Sequence, residues 1–238
     1  MKRKILVFIL FFVVLASPFA AFAGELYLVK GKGVPVCEAH YQNLKNLDIA
    51  EHMVCERDKY YPEQNGITRP KWEELDLKEN KELVKKIMKF FYFGNQFTKI
   101  KMYDDKDEYE SYLEELLRTG DTMFFTMVDI NNDGKQEKVI LYNHAQCMYT
   151  HAYSRFLLVL DQVNNQIDVK KTEPLLQNTT DPRADIRSKA DSLYQMYDVF
   201  FYKDQTYFDR WDTDGWTGSV YIDSNGITKQ LCNYKYKK

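Results

Sequence analysis

Hydrophobic and polar positions change their period once along this chain, near residue 120. Before it the apolar residues recur at helical spacing. Cys37, His40, Tyr41, Leu44 and Leu47 share one face, so residues 36–46 are expected to be helical, with Pro35 in the first turn, where its missing N–H costs nothing. Residues 79–92 place Leu83, Val84, Ile87, Met88 and Phe91 on one face and Lys81, Lys85, Lys86 and Lys89 on the other, a solvated helix face. Residues 105–118 repeat the pattern with Tyr109, Tyr112, Leu113, Leu116 and Leu117, begin in an Asp-rich turn and stop at Gly120. Between the first two lies 48–70, with Cys55, Pro62, Gly66 and Pro70, which reads as an irregular loop.

From residue 121 the alternation is that of strands. Residues 121–130, 137–142, 155–161, 166–171, 197–202, 206–211, 218–223 and 228–234 each read as a strand, and 24–33 as a weaker one. Asn164-Asn165 and Asp223-Ser-Asn-Gly226 suit tight hairpin turns. A short helix is expected at 184–193 inside a polar loop. The expected class is therefore α+β: N-terminal helices (24–120) packed on a largely antiparallel sheet (121–238), within one domain.

Residues 1–23 stand apart. Lys2, Arg3 and Lys4 precede the apolar run 5–15, and Ala-Phe-Ala23 ends the segment in small residues, the pattern of a cleaved secretory signal peptide. The run is short for a span of roughly 20 residues, and no second long apolar run follows, so no membrane span is expected after cleavage. Cleavage removes three positive charges and no acids, moving the formal charge from −2 to −5. That balance argues against nucleic acid or an anionic membrane as the partner. A periplasmic or secreted location also gives the four cysteines a role as two disulfides. Cys37, Cys55, Cys147 and Cys232 allow three pairings; Cys37–Cys55 is favoured because it closes a short loop, which leaves Cys147–Cys232.

The sharpest chemical pattern lies between two predicted strands. Asp129, Asn131, Asp133, Lys135 (through its carbonyl) and Glu137 fall at positions 1, 3, 5, 7 and 9 of a calcium loop, with Gly134 at the sharp reversal. Three carboxylates in nine residues repel unless a cation neutralises them. One structural Ca²⁺ is the expected cofactor. An EF-hand is excluded by Ile140 at position 12, where a bidentate Glu is needed. The loop resembles the strand–loop–strand calcium motif D-x-[DN]-x-D-G-x-x-[DE] of FG-GAP and VCBS repeats. That resemblance covers about 17 residues in a single copy; it implies a bound calcium ion, not a propeller and not an activity. A broader resemblance, on Gly31-Lys-Gly-Val-Pro-Val-Cys-Glu-Ala39, Cys55-Glu-Arg57, Thr206-Tyr-Phe-Asp-Arg-Trp211 and Leu231-Cys-Asn-Tyr234, is to uncharacterised exported bacterial proteins. It implies export and one domain.

His144, Cys147 and His151 form an H-x2-C-x3-H cluster, but a bridged Cys147 can neither ligate a metal nor attack a substrate. No G-x-S-x-G, H-E-x-x-H, P-loop or dinucleotide glycine motif is present. Asp209, Asp212 and Asp214 around Trp211 and Trp216 offer a site for a small hydrolase of envelope glycans. The leading expectation is a non-enzymatic exported binding protein whose partner is another envelope protein.

Overall fold

The computed structural model describes residues 25–45, 61–93, 113–114, 116–118, 120–144, 154–161, 163–176, 195–212 and 217–237. Over these residues the protein is mostly β, with two antiparallel sheets and short helices, and this corrects the α+β expectation. In chain order the strands are β1 Glu25–Lys30, β2 Ile67–Thr68, β3 Glu73–Glu74, β4 Thr122–Val128, β5 Glu137–His144, β6 Ser154–Leu160, β7 Gln195–Tyr202, β8 Gln205–Asp212, β9 Thr217–Ser224 and β10 Ile227–Lys237. Helices α1 Pro35–Lys45, α2 Lys81–Phe93 and α3 Val169–Leu176 accompany them, and residues 113–114 and 116–118 are also helical.

The large sheet has the order β1-β10-β9-β8-β7-β2 and the small one β3-β4-β5-β6. The N-terminal half was expected to supply helices and one weak strand at 24–33, which is β1. It also supplies β2 and β3, and β1, β2 and β3 pair with β10, β7 and β4 respectively. β2 lies in the stretch expected to be irregular, and such distant pairing leaves no periodic trace in two-residue strands. The second half of the expected strand 166–171 is instead the start of α3. Asp168 caps it: its carbonyl takes the Thr172 N–H at 2.9 Å and its side chain the Lys171 N–H at 3.2 Å. Only the Leu160–Ile167 bridge remains of the expected hairpin.

The large sheet is buried on both faces, so β7 reads as a nearly continuous buried run from Met196 to Phe200. One face, with Tyr197, Val199, Phe208 and Tyr221, joins the small sheet and Val84 and Ile87 of α2 in the main core. The other face, with Phe200, Tyr207, Val220, Cys232 and Tyr234, packs under α1 through Val36, Ala39 and Leu44. Cys37 on α1 is bonded to Cys232 on β10, 195 residues away, with Cα atoms 5.6 Å apart. This overturns both favoured pairings, Cys37–Cys55 and Cys147–Cys232. Local loop closure was the wrong guide, because β1 lies beside β10 and brings α1 onto the last strand. Cys55 and Cys147 lie outside the described residues, as do His151, residues 1–24, 94–112 and 184–193, and the side chain of His144. No helix among the described residues is long and apolar enough to cross a membrane.

Candidate functional sites

The β4–β5 connection is the loop singled out in the sequence. It closes on itself by hydrogen bonds. The Asp129 carboxylate accepts the N–H groups of Asp133 at 2.9 Å and Gly134 at 2.8 Å. Asp133 accepts from Asn131 Nδ2 at 3.1 Å and from the Lys135 N–H at 2.9 Å. These two donors, Asn131 first, hold the fully exposed Asp133 carboxyl below its ordinary value. Glu137 turns inward, accepting from the Ile130 N–H at 3.1 Å and from Lys171 Nζ of α3 at 2.5 Å. Burial disfavours the charged Lys171, but the hydrogen bond and charge of Glu137 outweigh it and raise its pKa. The crowded carboxylates are thus answered by backbone N–H groups and one tethered ammonium. Among the described residues no three of His, Cys, Asp and Glu are grouped to hold a metal ion.

Asn132 gives the loop its structural role. Held at φ 54°, a conformation Asn tolerates, it reaches across to the large sheet. Its Nδ2 donates to the carbonyls of Thr206 (3.0 Å) and Asp223 (2.8 Å), and its Oδ1 accepts the Thr206 N–H (2.8 Å). The Asn225 N–H adds a bond to the Asn131 carbonyl at 3.1 Å. One side chain therefore ties the tip of the small sheet to the turns β7–β8 and β9–β10. Asn132→Ala leaves a backbone N–H and two carbonyls without these partners. A loss of about 2–3 kcal/mol is expected in chemical denaturation; a change under about 0.5 kcal/mol would show that the tie is dispensable.

Beside this tie a groove of about 520 Å³ opens between the two sheets, lined by Gly66, Thr68, Met127, Gln136, Phe201 and Lys203, with Asp129 and Asp204 in its walls. Its volume suits a ligand of modest size.

The second cluster is buried under α1. Asp198 on β7 and Asp209 on β8 are directly opposed in register, an arrangement that repels unless each charge is answered. Asp198 pairs with Arg69, whose guanidinium lies 5.6 Å from the Tyr61 ring centre. Asp209, 2% exposed, takes His40 Nε2 at 3.1 Å and the Tyr234 hydroxyl at 2.7 Å. The Tyr61 hydroxyl meets His40 Nδ1 at 2.6 Å, so one tautomer satisfies both contacts: Nε2–H donates to Asp209 and Nδ1 accepts from Tyr61. The His40 ring stacks on Phe200 with centroids 5.0 Å apart. The Asp–His–Tyr order is that of a proton relay, but the cavity between these groups is only about 10 Å³, about enough for one water. No sugar ring or acyl group fits there.

Of the proposed Asp-Trp site, Asp209 lands in this closed cluster and Trp211 is buried; Asp214, Trp216 and the side chain of Asp212 lie outside the described residues. His40 and Tyr234 were not read as partners of Asp209, nor Tyr61 as the partner of His40. The available signal was a histidine on the apolar face of α1, and a carboxylate between Tyr207 and Trp211 on the inward face of β8. No family model, curated protein or solved structure matches the chain.

Proposed function

We propose that this is a non-enzymatic exported protein, periplasmic or secreted, that binds another envelope protein through the groove between its two sheets. The groove itself carries the reading: it is open and of ligand size, whereas the opposed carboxylates Asp198 and Asp209 are sealed by Arg69 and His40 around a space for one water. The Asn132 tie and the two-residue turn Lys203-Asp204, both at positive φ, preorganise one wall, which reduces the ordering cost of binding. A photoreactive side chain at Lys203, expressed in the native host, is expected to give one discrete adduct in the envelope fraction. The same probe at Val29, exposed on β1 at the opposite edge of the large sheet from β2, is expected to give none. Equal labelling at both positions, or none at Lys203, overturns the assignment.

Calcium at the loop is a proposal with a defined competitor. An ion there competes with Lys171 for Glu137 and would draw its six to eight oxygens from Asp129, Asn131, Asp133, the Lys135 carbonyl and Glu137. Equal melting curves in millimolar Ca²⁺ and in EDTA would reject the ion. A calcium-dependent rise in Tm that Asp133→Ala abolishes and Lys171→Met enlarges would establish the ion.

A further inference from the structure

We infer that the groove accepts an extended, basic segment of the partner protein, added as a short antiparallel strand along the open end of β4 at Met127; this rests on the binding reading above. The argument starts from backbone direction. The Leu75 N–H donates to the Met123 carbonyl at 2.8 Å, so Met123 aims its backbone groups at the β3 side of β4. Alternate residues of a strand aim the same way, so Phe125 and Met127 do likewise. β3 is two residues long and covers only Phe125 and Phe124. In the same register Lys71 would face Met127, but no backbone hydrogen bond joins them. The chain has left β4 there for β2, where Thr68 pairs with Phe201 of the other sheet, and Pro70 interrupts the strand track.

The Met127 N–H and C=O therefore have no backbone partner on that side among the described residues. They face the groove whose opposite wall is Thr68 and Phe201. The Met127 side chain is 46% exposed beside it, an apolar and adaptable contact. An unpaired strand end next to a cleft of this size is a template for strand addition.

Charge selects the sequence of the added strand. Asp129 and Asp204 stand in the groove walls, and each Asp129 oxygen keeps lone pairs beyond the N–H it accepts. Among the described lining residues the one cation is Lys203, whose Nζ lies 5.4 Å from the ring centre of Tyr202. Lysine or arginine flanking a small β-branched residue fits this pattern; an acidic strand does not.

The test uses the mature ¹⁵N-labelled protein with two synthetic probes, acetyl-Lys-Val-Thr-Val-Lys-amide and the same peptide with Glu in place of Lys. The basic probe is expected to slow hydrogen exchange of the Met127 amide by about tenfold or more and to shift resonances of residues 66–68, 127–129 and 201–206. The acidic probe is expected to bind about tenfold more weakly or less. Met127→Pro removes the N–H at an edge position where proline is tolerated, and is expected to abolish protection elsewhere in the groove. A basic probe N-methylated at its central Thr gives the same control without altering the fold. Met127 exchange unchanged by the basic probe, equal binding of both probes, or full binding to Met127→Pro overturns the proposal. So do groove shifts that track protein concentration without peptide, which would make the occupant a second copy. Crosslinking at Lys203 with no response to either peptide retains groove binding and rejects strand addition; failure of both rejects the groove.

Discussion

Replacing Cys37 and Cys232 together by alanine is expected to lower the unfolding free energy by about 3–5 kcal/mol. The bridge spans 195 residues, and the loop-entropy model puts a closed loop of that length near 5 kcal/mol. Both sulfurs are buried, at 1% and 0% exposure, so some packing is lost as well. The effect is not confined to entropy, because the bridge sets where α1 sits. Cys37 is one turn from His40 on α1, and Cys232 is two residues from Tyr234 on β10; His40 and Tyr234 meet at Asp209. Gly31 shows how tight that seam is: a Cβ there would lie 2.7 Å from Cys37 Sγ, on a residue already at φ +95°. Denaturant unfolding of the double variant against wild type, both oxidised, measures the loss. A difference below about 1 kcal/mol would mean that α1 docks without its covalent tie.

Periodicity carried the local elements and missed the pairings. α1 and α2 lie close to where the i, i+3, i+4 spacing puts them, and most strands of the second half follow their alternation. Lys203-Asp204 makes a two-residue hairpin with both φ values positive, in residue types that only partly announce it. What stayed hidden joins distant residues: β1 to β10, β2 to β7, Cys37 to Cys232, Glu137 to Lys171. None changes the local pattern of either partner.

The loop shows the same limit. Its carboxylate spacing was legible and its neutralisation was not, because the ammonium that meets Glu137 arrives from α3, 34 residues later. Asn132, a spacer in the calcium template, ties the tip of the small sheet to the turns of the large one. The same acids that suggested an ion thus shape a turn whose free face borders the groove. Met127 could not be flagged from sequence either, since its open edge exists only because β3 ends after two residues.

Asp209→Ala is expected to cost about 3–5 kcal/mol, a drop of roughly 6–20 °C in Tm for a protein of this size. The carboxylate accepts from His40 and Tyr234 in a site closed to solvent, and truncation removes this buried acceptor from both. Asp209→Asn keeps the shape and one acceptor oxygen but removes the charge, so an intermediate loss is expected. Tyr234→Phe removes one of the two bonds and should cost about 1–3 kcal/mol. Gly218→Ala strikes the same site from the far side: Gly218 faces Tyr234 across β9 and β10, and a Cβ there would fall on the Tyr234 ring. The ring has to swing off Asp209, or the strands have to part. Combining Gly218→Ala with Tyr234→Phe should therefore cost less than the two separate losses together, because both break one contact. A catalytic Asp209 behaves differently: Asp209→Asn would keep its melting temperature and lose turnover. Stability that falls from wild type to Asp209→Asn to Asp209→Ala identifies the cluster as the pin that holds α1 to the sheet, and a melting curve unmoved by either substitution rejects it.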